Sequence, residues 1–395
     1  MPFSRNEFIR RFERARTLLD DSNIDVLLVT SVENFAYLAG GSGFDNSWAM
    51  QLCEANGPYT SIAIIPKIGS PIAIVHGLLE GVVRQTDSVA DLRVYYEEGE
   101  EQPYVDMAVR ALEDLNLAKR SIAIELGKGH PADPKMGMPL NDFLRIKEKL
   151  PEAKFVDGSS ILRTMRMTKS DEEIACIRRS ADIVTETFRD CFGMMKEGMS
   201  EPEVVSICNR LVSQKGGRPV WTLAKCGPGE KVLLPRPDSR LKRDRILFLD
   251  LGVTFDGYHA DFNRMAVVGK ASASKKRKCQ LIAEITRETL RSVKPGIRAC
   301  DVVDTCRSQF KRLGLEPAPG IVSPNRIGHG MGLTLTEAPA IATYDKTVLG
   351  KGVTFCLEPA IWTEDGYFIT EQDVAVTDDG CEVLSKADDG LYEIL

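Results

Sequence analysis

The sequence predicts an α+β chain of two domains, and three patterns carry that expectation. Up to about residue 160, short apolar runs of strand length alternate with stretches of helical periodicity, as in an α/β domain. Beyond it, the order helix, helix, hairpin occurs twice. Each of the two hairpins has an Asp-Gly turn and a pair of acidic residues flanking it. At 395 residues the chain is long for one core, which agrees with domains at 1–160 and 161–395.

In the first domain, residues 5–22 read as an amphipathic helix, with Phe8, Ile9, Phe12, Leu18 and Leu19 apolar among arginines. Strands are predicted at 24–30, 59–66, 71–76, 92–96 and 121–125, and helices at 104–115 and 139–150. The glycine-rich run from Gly40 to Asn46 lacks a phosphate-binding fingerprint and reads as a turn. In the second domain, Ser170-Asp-Glu-Glu173 and Ser200-Glu-Pro-Glu203 are capping boxes that start helices. A strand is predicted at 219–226, then a hairpin from Ile246. Helices at 275–293 and 299–313 precede a second hairpin at 353–376. The repeat implies an internal pseudo-duplication with a site where the halves meet. Lys275-Lys-Arg-Lys278 is short and opens a helix, so it reads as a solvated face.

Composition narrows the function classes. A net charge of −6 argues against nucleic acid or an acidic membrane surface as partner. Ten cysteines form no C-x-x-C pair. Cys176, Cys208 and Cys356 sit in apolar runs and read as buried thiols of a reducing compartment. The N-terminus lacks a signal-peptide core and no apolar run reaches membrane-spanning length, so a cytoplasmic location is expected.

The hairpins carry the chemistry. With Asp256-Gly257 as a two-residue turn, Phe255 pairs with Tyr258 and Gly252 with Asp261. Asp250 and Asp261 then share a face as diagonal neighbours, and Gly252 leaves room between them. With Asp365-Gly366 as the second turn, Ala360 falls opposite Glu371, and Glu358 lies diagonal to Glu371. Carboxylates gathered on one face repel unless a cation sits between them. His329, flanked by glycines in Arg326-Ile-Gly-His-Gly-Met-Gly-Leu333, is the candidate fifth ligand among only four histidines. Oxygen-rich ligands with one imidazole suit Mn²⁺, Fe²⁺, Co²⁺ or Zn²⁺.

The ordered set Asp250-x-Gly-x4-Gly-Tyr-x2-Asp-x2-Arg264, Gly-His329-Gly-x-Gly-Leu, Glu358-Pro and Glu371-x-Asp373 resembles the signature of the pita-bread metallohydrolases. These include methionine aminopeptidase, aminopeptidase P, prolidase and creatinase. The resemblance covers the whole chain, since creatinase and prolidase carry a smaller α/β domain before the pita-bread domain. It implies a pita-bread fold at 161–395 and two divalent ions, Mn, Co, Fe or Zn, about 3.5–4 Å apart. Asp250 would chelate one ion, Asp261 and Glu371 would bridge both, and His329 and Glu358 would complete the other site. Glu358 would also take a proton from water and pass it to the leaving nitrogen. Arg264 would orient a carboxylate from behind. Relatives with this layout usually pair, so a homodimer is implied, with Phe44–Trp48 as the segment reaching into the partner's pocket.

The chain departs from that pattern where the peptidases keep auxiliary histidines. The upstream segment reads Leu234-Pro-Arg-Pro-Asp238, the downstream one Thr336-Glu337-Ala-Pro339, and Ile369 stands where an arginine is common. Arg236 either binds a substrate carboxylate or is a solvated residue of an exposed loop. Thr336, Glu337 and the weaker candidate His259 are placed with it as substrate-binding residues. The expectation is a dinuclear hydrolase cleaving a C–N bond in a small, carboxylated or dipeptide-like substrate. An Xaa-Pro dipeptidase or aminopeptidase with a rebuilt oxyanion pocket is the alternative. Creatinase-like chemistry fits less well, because creatinase works without metal and uses an upstream histidine, and so does the lyase, because Gly252 stands where it has an aspartate. A non-enzymatic binding module comes last, since all five ligands are kept.

Overall fold

The computed structural model describes residues 3–40, 59–96, 103–127, 136–227, 234–318 and 325–395. They divide into two units, Met1–Arg166 and Met167–Leu395. The Gly40–Asn46 turn beyond its first residue, the Phe44–Trp48 segment and His130 lie outside the described residues.

In the first unit, α1 (Arg5–Asp21) starts at Ser4, whose side chain accepts from the Glu7 amide. Strands β1 (Val26–Val29), β2 (Ile62–Pro66) and β3 (Ile72–His76) are buried at every residue, as continuous apolar runs require when both faces of a sheet are covered. With β4 (Asp91–Tyr95), β5 (Ser121–Ile124) and β6 (Lys154–Asp157) they form a six-stranded sheet in the order β4-β3-β2-β1-β5-β6. The β1–β2 and β2–β3 pairs are antiparallel and the others parallel. Four elements were not predicted from the sequence: α2 (Val32–Ala39), α3 (Gly77–Arg84), β6 and α6 (Ser159–Met167). Each spans nine residues or fewer, too few for a periodic pattern to stand out. The helices predicted near 104–115 and 139–150 are α4 (Pro103–Asp114) and α5 (Leu140–Lys149).

In the second unit both capping boxes form. Ser170 and Glu173 cap α7 (Asp171–Phe192) reciprocally, and Ser200 and Glu203 cap α8 (Glu201–Gln214) in the same way. Strands β7 (Arg218–Cys226), β8 (Ile246–Phe255) and β9 (Tyr258–Val268) join the C-terminal β17 (Tyr392–Ile394) in the order β17-β9-β8-β7. Helices α9 (Ala273–Leu290) and α10 (Ala299–Arg312) follow. Then come β10 (Arg326–Gly330), β11 (Glu337–Ala342), β12 (Thr354–Leu357), β13 (Ala360–Thr363), β14 (Gly366–Ile369), β15 (Gln372–Val376) and β16 (Cys381–Val383). Their main sheet runs β11-β10-β12-β15-β16, and β13 pairs with β14 alone. Among the described residues no helix is long and apolar enough to cross a membrane.

The first hairpin forms in the predicted register. Asp256 and Gly257 both take positive φ, Phe255 pairs with Tyr258, and Gly252 pairs with Asp261. The second is shifted by two residues. Thr363 pairs with Gly366, so the turn is Glu364-Asp365 and Ala360 lies opposite Ile369, not Glu371. Helix α9 fixes that corner: Lys278 bonds both Glu364 and Asp365, and Lys275 lies 3.5 Å from Asp365. Lys275 is buried and Lys278 half-buried, so these two are tethers and not part of the solvated face predicted, while Lys276 and Arg277 are exposed as expected. A shift of two preserves the pleat, so the facing of every side chain survives. Leu357 pairs with Gln372 in the same register beyond the break, which sets Glu358 directly across from Glu371.

Candidate metal centre

Three adjoining strands build one floor. His329 on β10 lies opposite Cys356 on β12, and Cys356 lies opposite Asp373 on β15, so these three side chains share a face. Glu358 and Glu371, each two residues along, extend that face by one row. The first hairpin supplies Asp250 and Asp261 on a single face of its own. The ligand atoms of Asp250, Asp261 and Glu371 all lie within 4.8 Å of one another. So do those of His329, Cys356, Glu358 and Glu371. Glu371 belongs to both groups. The structure thus brings together all five residues singled out in the sequence.

Close packing at this floor depends on the glycines around His329. A β-carbon at Gly328 or Gly330 would collide with the main chain at Cys356 or Ala338, so neither position has space for a side chain. Gly252 plays a different part from the one expected. The space before it is filled by the Trp221 indole of β7, 2.9 Å from where its β-carbon would stand.

Around the carboxylates lies a second layer, of which only Arg264 was given a role from the sequence. Asn263 donates to Glu371 Oε2 at 2.8 Å, and Asp373 Oδ2 accepts from the Asp261 amide at 2.9 Å. Arg264, buried, bonds the Asn263 and Glu371 carbonyls at 2.6 and 2.8 Å, the Ala387 carbonyl at 2.8 Å and the Gln372 side chain at 3.1 Å. It therefore holds main chain, and Asn263 orients the Glu371 carboxylate in its place. His329 Nδ1 lies 3.1 Å from the Gly330 carbonyl, and its Nε2 is 3.5 Å from Asp261 Oδ2. With Nδ1 donating to that carbonyl, Nε2 faces the acidic groups, carrying a proton toward Asp261 when the ring is charged and offering a lone pair when it is neutral.

Electrostatics show how costly the cluster is without a counter-charge. Burial, then the Asp261, Glu358 and Asp373 carboxylates, raises the Asp250 carboxyl well above its ordinary range. Glu371 is raised for the same reasons, and Asp373 by burial and Asp261. Burial also raises Glu358, opposed by His329 and Arg326. For His329 burial works against the charged ring, yet the bond to Asp261 prevails and its pKa is raised. Asp250 Oδ1 and Asp261 Oδ1 are buried with no hydrogen-bond partner. Unpaired anionic oxygens, one imidazole and overlapping donor groups fit divalent cations.

The remaining candidates fall elsewhere. His259 shares the face of Asp261 two residues away; its Nδ1 lies 3.0 Å from the Gly332 carbonyl, and burial pushes its pKa down. Glu337 is buried in an ion pair with Lys169, 2.6 Å away, and accepts from Thr334. No sequence signal marked Lys169. Thr336 is exposed. The Arg236 guanidinium lies 2.9 Å from Asp238, which favours the exposed-loop reading of that residue.

Comparison with known proteins gives two family matches. Metallopeptidase family M24 matches residues 175–378, and the creatinase/prolidase N-terminal domain matches residues 11–168. An Xaa-Pro dipeptidase of Pyrococcus horikoshii is 24% identical over 322 residues, covering 81% of this chain and 80% of its own. The solved structure of an Xaa-Pro dipeptidase from Bacillus anthracis superposes with a TM-score of 0.79 at 20% identity, over 98% of this chain and 99% of that one. The N-terminal domain of the FACT complex subunit SPT16 from chickpea shares the fold at 13% identity, with a TM-score of 0.69 over 98% and 99% of the two chains.

Proposed function

The chain belongs to metallopeptidase family M24 and is a metal-dependent hydrolase of C–N bonds, and on that premise we propose a dinuclear enzyme for small, carboxylated, dipeptide-like substrates. One observation carries this reading: two donor groups overlap at Glu371, and buried oxygens of Asp250 and Asp261 lack any partner. In this reading Asp250, Asp261 and Glu371 would hold one ion, and Asp261, His329, Glu358 and Glu371 would hold the other. Bound there, the ions would acidify a water molecule and polarise the scissile carbonyl.

The chain's own residues do the rest. Glu358 stands at the end of β12 with its amide bonded to the Ile327 carbonyl at 2.8 Å, which fixes where its carboxylate projects. That carboxylate takes the water proton and returns it to the leaving nitrogen. Arg326, 3.8 Å from Glu358 Oε1, favours its charged form between transfers. Asn263 and the main chain pinned by Arg264 keep Glu371 in place, so donor positions are set before substrate arrives.

Metal-loaded protein should release an amino acid from a panel of dipeptides and N-acyl amino acids. Turnover limited to Xaa-Pro dipeptides would select a second reading, an Xaa-Pro dipeptidase, which the Pyrococcus relative's name favours. Turnover of none of these would sink both.

A further inference from the structure

Cys356 occupies the middle of the floor just described and takes no part in the steps assigned above. Its side chain stands between His329 on one neighbouring strand and Asp373 on the other, and Glu358 follows two residues later on the same face. The residue is fully buried and its thiol is free. Its sulfur lies within 4.8 Å of the ligand atoms of His329, Glu358 and Glu371, as near as those are to one another. Asp261, whose Oδ2 lies 3.5 Å from His329 Nε2, and Asp373, opposite Cys356, each leave a buried Oδ1 without a partner, so the space already calls for a cation.

We propose that Cys356 is a sulfur ligand of the ion held by His329, Glu358 and Glu371, and that it biases the centre toward Zn²⁺, Co²⁺ or Fe²⁺ over Mn²⁺. This rests on the metal-centre reading above. Binding exchanges the S–H bond for a sulfur–metal bond and releases the proton to water, with no change in oxidation state. Carboxylates and one imidazole are donors that Mn²⁺ accepts, whereas a thiolate is a soft donor that hard Mn²⁺ uses poorly, which widens the preference for the later ions.

Metal-free full-length protein is titrated with Co²⁺ alone and its absorption followed. The wild type should develop visible d–d bands together with a sulfur-to-cobalt charge-transfer band in the near ultraviolet. Cys356→Ser should keep the visible bands, lose the ultraviolet one, and lower the Zn²⁺ affinity relative to Mn²⁺ at least about tenfold. Visible bands with no charge transfer, or a band that survives in Cys356→Ser, would overturn the sulfur ligand and leave the metal centre standing. No visible bands in the wild type would overturn both. X-ray absorption of the Zn²⁺-loaded wild type decides the matter even if the variant does not fold, through the presence or absence of sulfur at about 2.3 Å.

Discussion

Replacing Arg264 by lysine tests whether the carboxylate cluster is held from behind. The guanidinium fork serves four acceptors: the carbonyls of Asn263, Glu371 and Ala387 and the side chain of Gln372. An ammonium keeps the charge but donates from one point, and the acceptors lie on two arms of the fork. About two of them would lose their donor in a buried setting, at roughly 1–3 kcal/mol each, so the loss should be about 2–6 kcal/mol. That is a large part of the roughly 5–15 kcal/mol available to a folded domain. Turnover should also fall by about a hundredfold, because the main chain at Glu371 loses its anchor and ligand positions tolerate little drift. Urea unfolding followed by the emission of the three tryptophans, with kcat and metal content measured alongside, gives both numbers. Arg298→Lys is the control, since Arg298 is exposed and its ion pair, among the described residues, is with Asp301 three positions on; it should stay within about 0.5 kcal/mol of the parent. An Arg264→Lys protein equally close to the parent in stability and turnover would refute the argument.

The other expectations follow from the same geometry. Glu358→Gln, at saturating metal, should lower kcat by about 10²–10⁴, and a kcat within tenfold of the parent would remove Glu358 as the proton carrier. The raised carboxyls of Asp250, Glu371 and Asp373 give a defined pH dependence without metal. The folded chain holds protons there that the unfolded chain has released, so this contribution is complete below the ordinary values of 3.8 and 4.5. It is lost as pH rises through the higher folded values. With chelator present the melting temperature should thus fall from mildly acidic pH toward neutrality, and Mn²⁺ or Co²⁺ should flatten or reverse the slope; a profile unaffected by metal would contradict this. Lys169→Met leaves Glu337 buried without its 2.6 Å partner and should cost about 3–5 kcal/mol. Lys169→Met/Glu337→Gln should recover part of the loss in the same urea experiment, and a single variant as stable as the parent would speak against the pairing.

Much of the site was legible in the sequence because its information is local. Asp256-Gly257 dictates a two-residue turn, and once that turn is set, counting outward places Gly252 opposite Asp261 and puts Asp250 on their face. The capping boxes at Ser170 and Ser200 were equally local. At Asp365-Gly366 the same rule failed by two residues, because Lys275 and Lys278 on a separate helix hold Glu364 and Asp365 at the corner. The consequence for the site was small, as a shift of two keeps every side chain on its face.

What the sequence determined by itself was thus which residues share a strand face, since the alternation of a strand is a property of consecutive residues. Only the tertiary structure decided which faces meet. It brought His329 beside Asp261 across 68 positions of chain, set Cys356 among the ligands, gave Asn263 and Arg264 their separate holds on Glu371, and turned Lys169 toward Glu337. Those juxtapositions depend on which distant strands pair and on how sheets and connecting segments pack, and that is settled by the whole buried surface and not by any short stretch of it.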